Sequence, residues 1–280
     1  MGFTQPVALV TGASSGFGLL TSVALAKKGY RVVATMRDLS KGESLLEIAE
    51  TAGVHTAIEI MQVDVTIHDT IEQAVANMIR DYGRIDVLIN NAGFAIGGYV
   101  EDVPMEAWRA QLETNVFGVI AVARAVLPHM RLQGSGCIVN ISSVSGLSAY
   151  PGYAPYSTSK FAIEGFSESL RLEMKPYGVR IVLVEPGAYR TEIWRKGFDA
   201  IHTSASSPYW SKLSKMLQYS KQAAESAPDP QEVADKIAAI VSTANPKLRY
   251  QLGRGVKMGL WGRALLPWKW YEAILLRLLR

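Results

Sequence analysis

The chain has 280 residues, 49% of them hydrophobic and 19% charged, enough apolar material for a core of its own. That composition excludes intrinsic disorder, collagen-like repeats and small disulfide scaffolds, and the single cysteine, Cys137 in the apolar run CIVNIS, reads as a small core residue. The net charge of +4 is concentrated at one end: residues 254–280 carry Arg254, Lys257, Arg263, Lys269, Arg277 and Arg280 against Glu272 alone, so the rest of the chain gives no nucleic-acid footprint.

In chain order, strands are predicted over 6–12, 30–36, 57–64, 86–93, 136–142, 179–187 and 248–253, each nearly continuous in Val, Ile and Leu. Such runs suit strands buried on both faces. Helices are predicted between them over 17–28, 40–52, 68–82, 105–131, 156–175 and 230–243, the last with Asp229 as N-cap and Pro230 in the first turn. The alternation, at intervals of about thirty residues, specifies βαβ units and hence a single-domain, doubly wound α/β fold around a parallel sheet. No low-complexity linker divides residues 1–253. Two stretches break the pattern. Residues 188–228 are irregular and rich in Ser, Tyr and Trp, too long for an ordinary connection, and read as a lid. Residues 254–280 form a basic tail with Trp261, Trp268 and Trp270, in which Pro267 leaves a C-terminal helix of about a dozen residues. No stretch reaches roughly 18 uninterrupted apolar residues. The start MGFTQPVALVTG lacks a basic n-region and a signal h-region, so a cytoplasmic protein is expected.

Directly after the first strand comes Thr11-Gly12-Ala13-Ser14-Ser15-Gly16-Phe17-Gly18, then a helix. Glycines there permit a tight turn and let the backbone approach a pyrophosphate at the positive end of the helix, which identifies a dinucleotide loop of TGxxxGxG spacing. At the end of the second strand an acidic residue would bond ribose hydroxyls and repel a 2′-phosphate, whereas an arginine would attract it. Met36 holds the likely acidic position and Arg37 follows. NADP(H) is therefore favoured over NAD, unless a two-residue shift of the loop brings the Asp38 carboxylate into play. Asp64 and Val65 close the third strand, where an acceptor and a backbone N–H could read an adenine edge; Asn91, Ala92 and Gly93 close the fourth, small enough for a nucleotide to pass.

Tyr156 and Lys160 stand four apart at the start of a predicted helix and share a face. Ser143 ends the fifth strand thirteen residues upstream, where ligands bind parallel sheets. Asn115 lies within a long helix, where a buried amide needs a reason. Taken together, TGASSGFG, NNAG, Asn115, Ser143, YSTSK and Pro186-Gly187 with Thr191 resemble, in order and approximate spacing, the short-chain dehydrogenases/reductases. ATMRDLSKG, the Ser–Tyr gap and the closing LRYQLG are similar to the 17β-hydroxysteroid and retinol dehydrogenase branch.

The resemblance implies a Rossmann fold and a dimer or tetramer formed through helices 105–131 and 156–175. It implies that Tyr156 is general acid in carbonyl reduction and base in alcohol oxidation, its phenol acidified by Lys160 and the oxidised cofactor. Lys160 would also hold the nicotinamide ribose, Ser143 the substrate oxygen, and Asn115 a water leading from Lys160 to solvent. Pro186, Gly187 and Thr191 would line the nicotinamide amide and pyrophosphate. No histidine or cysteine spacing suits a metal, so none is expected. Phe94, Leu147, Ala149, Tyr150, Tyr153 and Tyr189, with Ile193, Trp194, Tyr209 and Trp210 of the lid, would wall an apolar pocket for a lipophilic ketone, aldehyde or secondary alcohol, steroid-, retinoid- or long-chain-like. The tail over 256–280 reads either as a peripheral membrane helix or as packing over the pocket or another subunit. Two rival functions fit parts of the pattern. An epimerase or dehydratase shares YxxxK but not TGxxxGxG, and a redox sensor or scaffold without turnover would be expected to lack Tyr156, Lys160 or Ser143.

Overall fold

The computed structural model describes residues 5–278, the side chains of 194–196 and 278 excepted. Seven strands, β1 (Val7–Val10), β2 (Arg31–Met36), β3 (Ile58–Gln62), β4 (Val87–Asn90), β5 (Gly136–Ile141), β6 (Val179–Pro186) and β7 (Arg249–Leu252), make one sheet in the order β3-β2-β1-β4-β5-β6-β7. Every neighbouring pair is parallel. The helices are α1 (Gly16–Lys27), α2 (Glu43–Thr51), α3 (His68–Tyr82), α4 (Met105–Leu112), α5 (Gly118–Gln133), α6 (Ala154–Met174), α7 (Glu192–Asp199), α8 (Trp210–Glu225), α9 (Gln231–Val241), α10 (Val256–Leu265) and α11 (Trp268–Leu278).

Alternation along the strands builds two cores. Ala8, Val10, Val87, Ile89, Val182 and Val184 face α1, α2 and α9. Val7, Leu9, Leu88 and Ile181 face α3, α5 and α6 on the other side. Because side chains alternate across a strand, both faces of each central strand must be apolar, which is why these runs carry no polar stripe. Cys137 is buried in the first core with its thiol raised to about 11, inert as expected of a packing residue.

Chain order reverses between β1 and β4, which pair directly with each other. The crevice beyond their C-terminal ends is where a doubly wound sheet receives a ligand.

Three expectations change. The helix over 105–131 is interrupted: α4 ends at Leu112, Glu113–Phe117 form a π turn, and α5 follows. This stretch, Met105–Gln133, is long and apolar enough to cross a membrane by length and composition, but half of its apolar window is buried in the fold. The segment over 188–228 is not irregular, since it holds α7 and α8; α8 buries Leu213, Met216 and Ser220 along one face. The last predicted helix begins one residue later than Pro230, although the Asp229 carboxylate still accepts from Gln231 N at 2.8 Å. In the tail, Pro267 breaks the stretch as expected and leaves a C-terminal helix of 11 residues, α11, with α10 before it.

Candidate active site

A cavity of about 1110 Å³ runs from the glycine loop and β2, past the ends of β4, β5 and β6, to α8, α10 and α11. Its nucleotide end is shaped by backbone. Gly12 and Gly16 hold φ values of 68° and 56°, a region that costs other L-residues about 1–2 kcal/mol. A Cβ on Gly12 would stand 2.7 Å from the Ala92 Cα.

Side chains behind the loop fix this approach. Thr11 Oγ1 accepts from Asn91 N and Ala92 N at 3.0 Å each, and Asn91 Nδ2 donates to Thr11 O and Gly12 O at 2.9 Å each. The Asn91 amide is thus a brace for the loop, and Gly18 packs against it. Gly18 does not line the cavity, whereas Gly12, Ser14, Ser15, Gly16, Phe17, Asn91, Ala92 and Gly93 do. Helix α1 opens on an extended Ser15 that makes no side-chain cap, with no acidic residue in its first turn. Its first amides and positive dipole end therefore suit an anionic group.

At the end of β2, Arg37 and Lys41 border the cavity on an exposed rim. The Asp38 carboxylate is spent as a cap: Oδ1 accepts from Ser40 N at 3.1 Å and Ser40 Oγ at 2.7 Å, and Lys41 lies 3.6 Å from Oδ2. These bonds, chiefly those from Ser40, hold Asp38 below the usual carboxylate range. Asp64 and Val65 also line the cavity, but Asp64 Oδ1 is occupied by Thr66 N and Oγ1 at 2.9 and 2.7 Å.

At the other end of the crevice Ser143, Tyr156 and Lys160 come together. Ser143 leaves β5 and accepts from Ser145 N at 3.1 Å, and its hydroxyl acts on the Tyr156 phenol to lower its pKa. Lys160 Nζ donates to Ile141 O at 2.7 Å and lies 5.6 Å from the Tyr156 ring centroid. Burial dominates both titrations. It raises the Tyr156 phenol to about 12, with the Ser143 hydrogen bond opposing it, and lowers Lys160 to about 8, with Glu164 opposing it. In the protein alone desolvation raises the Tyr156 phenol and the Ser143 hydroxyl opposes it, with no lowering by Lys160. Pro186, Gly187 and Thr191 close the crevice over the glycine loop, where a Cβ on Gly16 would lie 3.6 Å from Thr191.

Asn115 does not reach the cavity lining. It occupies the π turn, where Oδ1 accepts from Phe94 N at 3.1 Å and Nδ2 donates to Phe94 O at 2.9 Å and Ser159 Oγ at 3.2 Å. Ser159 Oγ in turn donates to Tyr156 O at 2.7 Å. Both amide hydrogens are committed to protein, so the side chain ties the loop after β4 to the start of α6 instead of offering donors to a water. Single-turn π bulges gather at functional sites.

Behind Lys160 lies a charged cluster that sequence reasoning missed. Arg249 Nε approaches Glu164 Oε2 at 3.0 Å and Glu185 Oε1 at 3.1 Å, and Nη2 meets the more exposed Glu168 at 2.6 Å. Glu185 is fully buried, and that burial, with Glu164 beside it, raises its carboxyl to about 7. Its place in the apolar strand VRIVLVEP, with Glu164 one helical turn beyond Lys160, was the available signal.

Of the expected pocket wall, Phe94, Tyr150, Tyr153, Tyr189 and Ile193 line the cavity. Leu147, Ala149, Tyr209 and Trp210 do not: Tyr209 stacks on Tyr99 with 4.5 Å between centroids and donates to Glu101, and Trp210 is 45% exposed. The Trp194 side chain lies outside the described residues. Their places are taken by Met216, Tyr219 and Ala223 of α8 and by Val256, Leu260 and Leu275 of the tail. The tail packs over the pocket: Ser148 Oγ and Tyr271 Oη are 2.6 Å apart, and Arg263 Nε donates to Leu147 O at 2.7 Å.

The model of the short chain dehydrogenase family matches residues 6–201. The chain belongs to that family. It is 46% identical to an uncharacterized oxidoreductase, YusZ, of Bacillus subtilis, over 97% of both chains. Identity is 37% to a 3-ketodihydrosphingosine reductase of Bacteroides thetaiotaomicron, covering 89% of this chain and 88% of the relative. It is 36% to human retinol dehydrogenase 8, covering 87% and 80%. Among solved structures, a short-chain dehydrogenase from Streptomyces avermitilis superposes with a TM-score of 0.81 at 34% identity, covering 93% of this chain and 92% of the other. A metagenomic short-chain oxidoreductase in complex with NADP gives 0.70 at 28% identity, covering 88% and 96%. As a short-chain dehydrogenase the protein is an oxidoreductase with a nucleotide-binding Rossmann fold, and it resembles the retinol and hydroxysteroid dehydrogenase branch.

Proposed function

We propose that this short-chain dehydrogenase transfers hydride between NADP(H) and a lipophilic ketone, aldehyde or secondary alcohol, with Tyr156 moving the proton. The carrying observation is the meeting of Ser143, Tyr156 and Lys160 in the cavity whose far end is the glycine loop. The uncapped start of α1 suits the pyrophosphate, and Arg37 with Lys41 suits a 2′-phosphate, since the nearby Asp38 carboxylate is engaged by Ser40. When bound, the nicotinamide supplies or accepts the hydride.

The chain's own part is the oxygen end of the reaction. Ser143 donates a hydrogen bond to the carbonyl oxygen and stabilises the charge that grows there. Tyr156 gives its phenolic proton to that oxygen, so that hydride on carbon and proton on oxygen together complete the alcohol; oxidation runs through the same groups in reverse. Lys160, one helical turn away, stabilises the phenolate left behind. A phenol held near 12 is protonated at neutral pH, and both giving up that proton and acting as base draw on positive charge next to Lys160 to stabilise the phenolate.

Phe94, Tyr150, Tyr153, Met216, Tyr219 and Leu260 give the far end of the cavity an apolar, aromatic lining suited to a steroid-, retinoid- or long-chain-like carbonyl. The names of the Bacteroides and human relatives, a ketosphingosine-type reductase and a retinol dehydrogenase, point to the same substrate class. The protein works in the cytoplasm as a homodimer or homotetramer in this proposal. The test is a panel of apolar ketones, aldehydes and alcohols of graded length, followed at 340 nm with each nicotinamide cofactor. Turnover is expected with NADPH and the longer carbonyls. Turnover confined to NADH, or to small polar carbonyls, would refute the assignment.

A further inference from the structure

We propose that the outer faces of α10 and α11 form a docking surface for an anionic lipid bilayer at the wall of the active-site cavity. On α10 the residues divide into opposite faces. Val256, Gly259 and Leu260 line the cavity. Met258, Trp261 and Leu265, at helical spacing on the other side, are 78%, 69% and 79% exposed. On α11, Tyr271 is buried and Leu275 lines the cavity, while Trp270 and Ile274, spaced by one turn, face outward.

Single exposed apolar residues are ordinary, but a stripe along two consecutive helices is not. The stripe is rigidly presented. Besides the Ser148–Tyr271 and Arg263–Leu147 hydrogen bonds, the Arg263 guanidinium stacks 5.5 Å from the Trp268 ring and 6.0 Å from the Tyr271 ring.

Charge selects the occupant. Lys257, Lys269 and Arg277 of the same two helices are exposed, Arg254 lies at the cavity, and Glu272 is the one acid among the described residues of the tail. A second copy would bring the same cations face to face, which opposes a symmetric contact here. An anionic bilayer satisfies both features: tryptophans settle at the headgroup level and each lysine or arginine gains from the surface potential. The inner faces of the same helices wall the cavity, so a lipophilic substrate dissolved in the bilayer lies one helix layer from the cavity. The docking stands on surface geometry and charge apart from the reaction, and vesicle binding is its deciding readout.

The test is co-sedimentation of the full-length protein with vesicles of phosphatidylglycerol or of phosphatidylcholine, with tryptophan emission recorded. Binding at least about tenfold stronger to phosphatidylglycerol, weakened by salt and accompanied by a blue shift, is expected. Lys257→Gln with Lys269→Gln should weaken it about 25-fold, at about fivefold per charge. Trp261→Ser with Trp270→Ser should weaken it at least tenfold and leave reduction of a water-soluble carbonyl unchanged. Equal binding to both vesicle types, no binding, or unaltered binding by these variants would overturn the proposal. A dimer that the tryptophan variant splits into monomers in light scattering would assign the face to a second copy and overturn it equally.

Discussion

Thr11, Asn91 and backbone bonds such as Ala13 N to Thr35 O at 2.9 Å clamp the nucleotide end of the cavity to the sheet. The opposite end is walled by α8, α10 and α11, which lie outside the sheet and meet the loop between β5 and α6 through side-chain contacts such as Tyr153–Ser220 at 3.2 Å and Ser148–Tyr271. The difference separates two tasks. A dinucleotide demands a fixed backbone, because amides and close approaches cannot be rebuilt by rotamers, whereas substrate choice can be altered by exchanging side chains on appended helices. The clamped end should also open last and the appended helices first in hydrogen exchange.

Substitutions on the two sides should therefore fail differently. The largest effect is expected at the clamp. Gly12→Ala puts a Cβ against the Ala92 backbone and strains a positive φ, so nucleotide affinity should fall at least about 100-fold by fluorescence titration. Retained affinity would show that the loop yields more than its bonding implies. Next is Arg37→Ala, which should raise the KM for NADPH about 10- to 100-fold, the worth of one charge-assisted contact, and leave that for NADH within about twofold. Equal changes for both cofactors would remove the 2′-phosphate role.

At the appended end, Leu260→Ala with Met216→Ala should raise KM for a long apolar ketone about tenfold while sparing NADPH and short ketones. Length-independent changes would mean that α8 and α10 do not line the substrate. The smallest effect concerns pH. Glu185 is raised from 4.5 to about 7, so between those values the folded protein binds the extra proton and stability falls as pH rises through the window. Glu185→Gln should flatten that decline in Tm, a difference of a few degrees between pH 5 and 8. A parallel decline in the variant would place its origin elsewhere.

The sequence was most informative where physics leaves little choice. Two-sided apolar strands, the glycine loop and the Tyr156–Lys160 spacing are all constraints on neighbours in the chain, and they are legible there. Asn115 was visible as an anomaly, but its partners, Phe94 and Ser159, are 21 and 44 residues away in sequence, so its bracing role needed the fold. Glu164, Glu185 and Arg249 are scattered over β6, α6 and β7 and are related only by packing. The segment over 188–228 was read as loop because Ser, Tyr and Trp obscure its period, although Leu213, Met216 and Ser220 follow helical spacing. Met36 and Arg37 were legible as the end of the second strand, but the bonds from Ser40 to Asp38 Oδ1, which bear on the competing register, needed the fold.

The most direct test of the central claim, that Tyr156 carries the proton, is Tyr156→Phe assayed in parallel for turnover and for NADPH binding. Removing only the phenolic oxygen should cut kcat for carbonyl reduction by about 10²- to 10⁴-fold while NADPH affinity stays within about twofold. A variant that reduces the carbonyl at the wild-type rate would contradict the mechanism, whatever its affinity for the nucleotide.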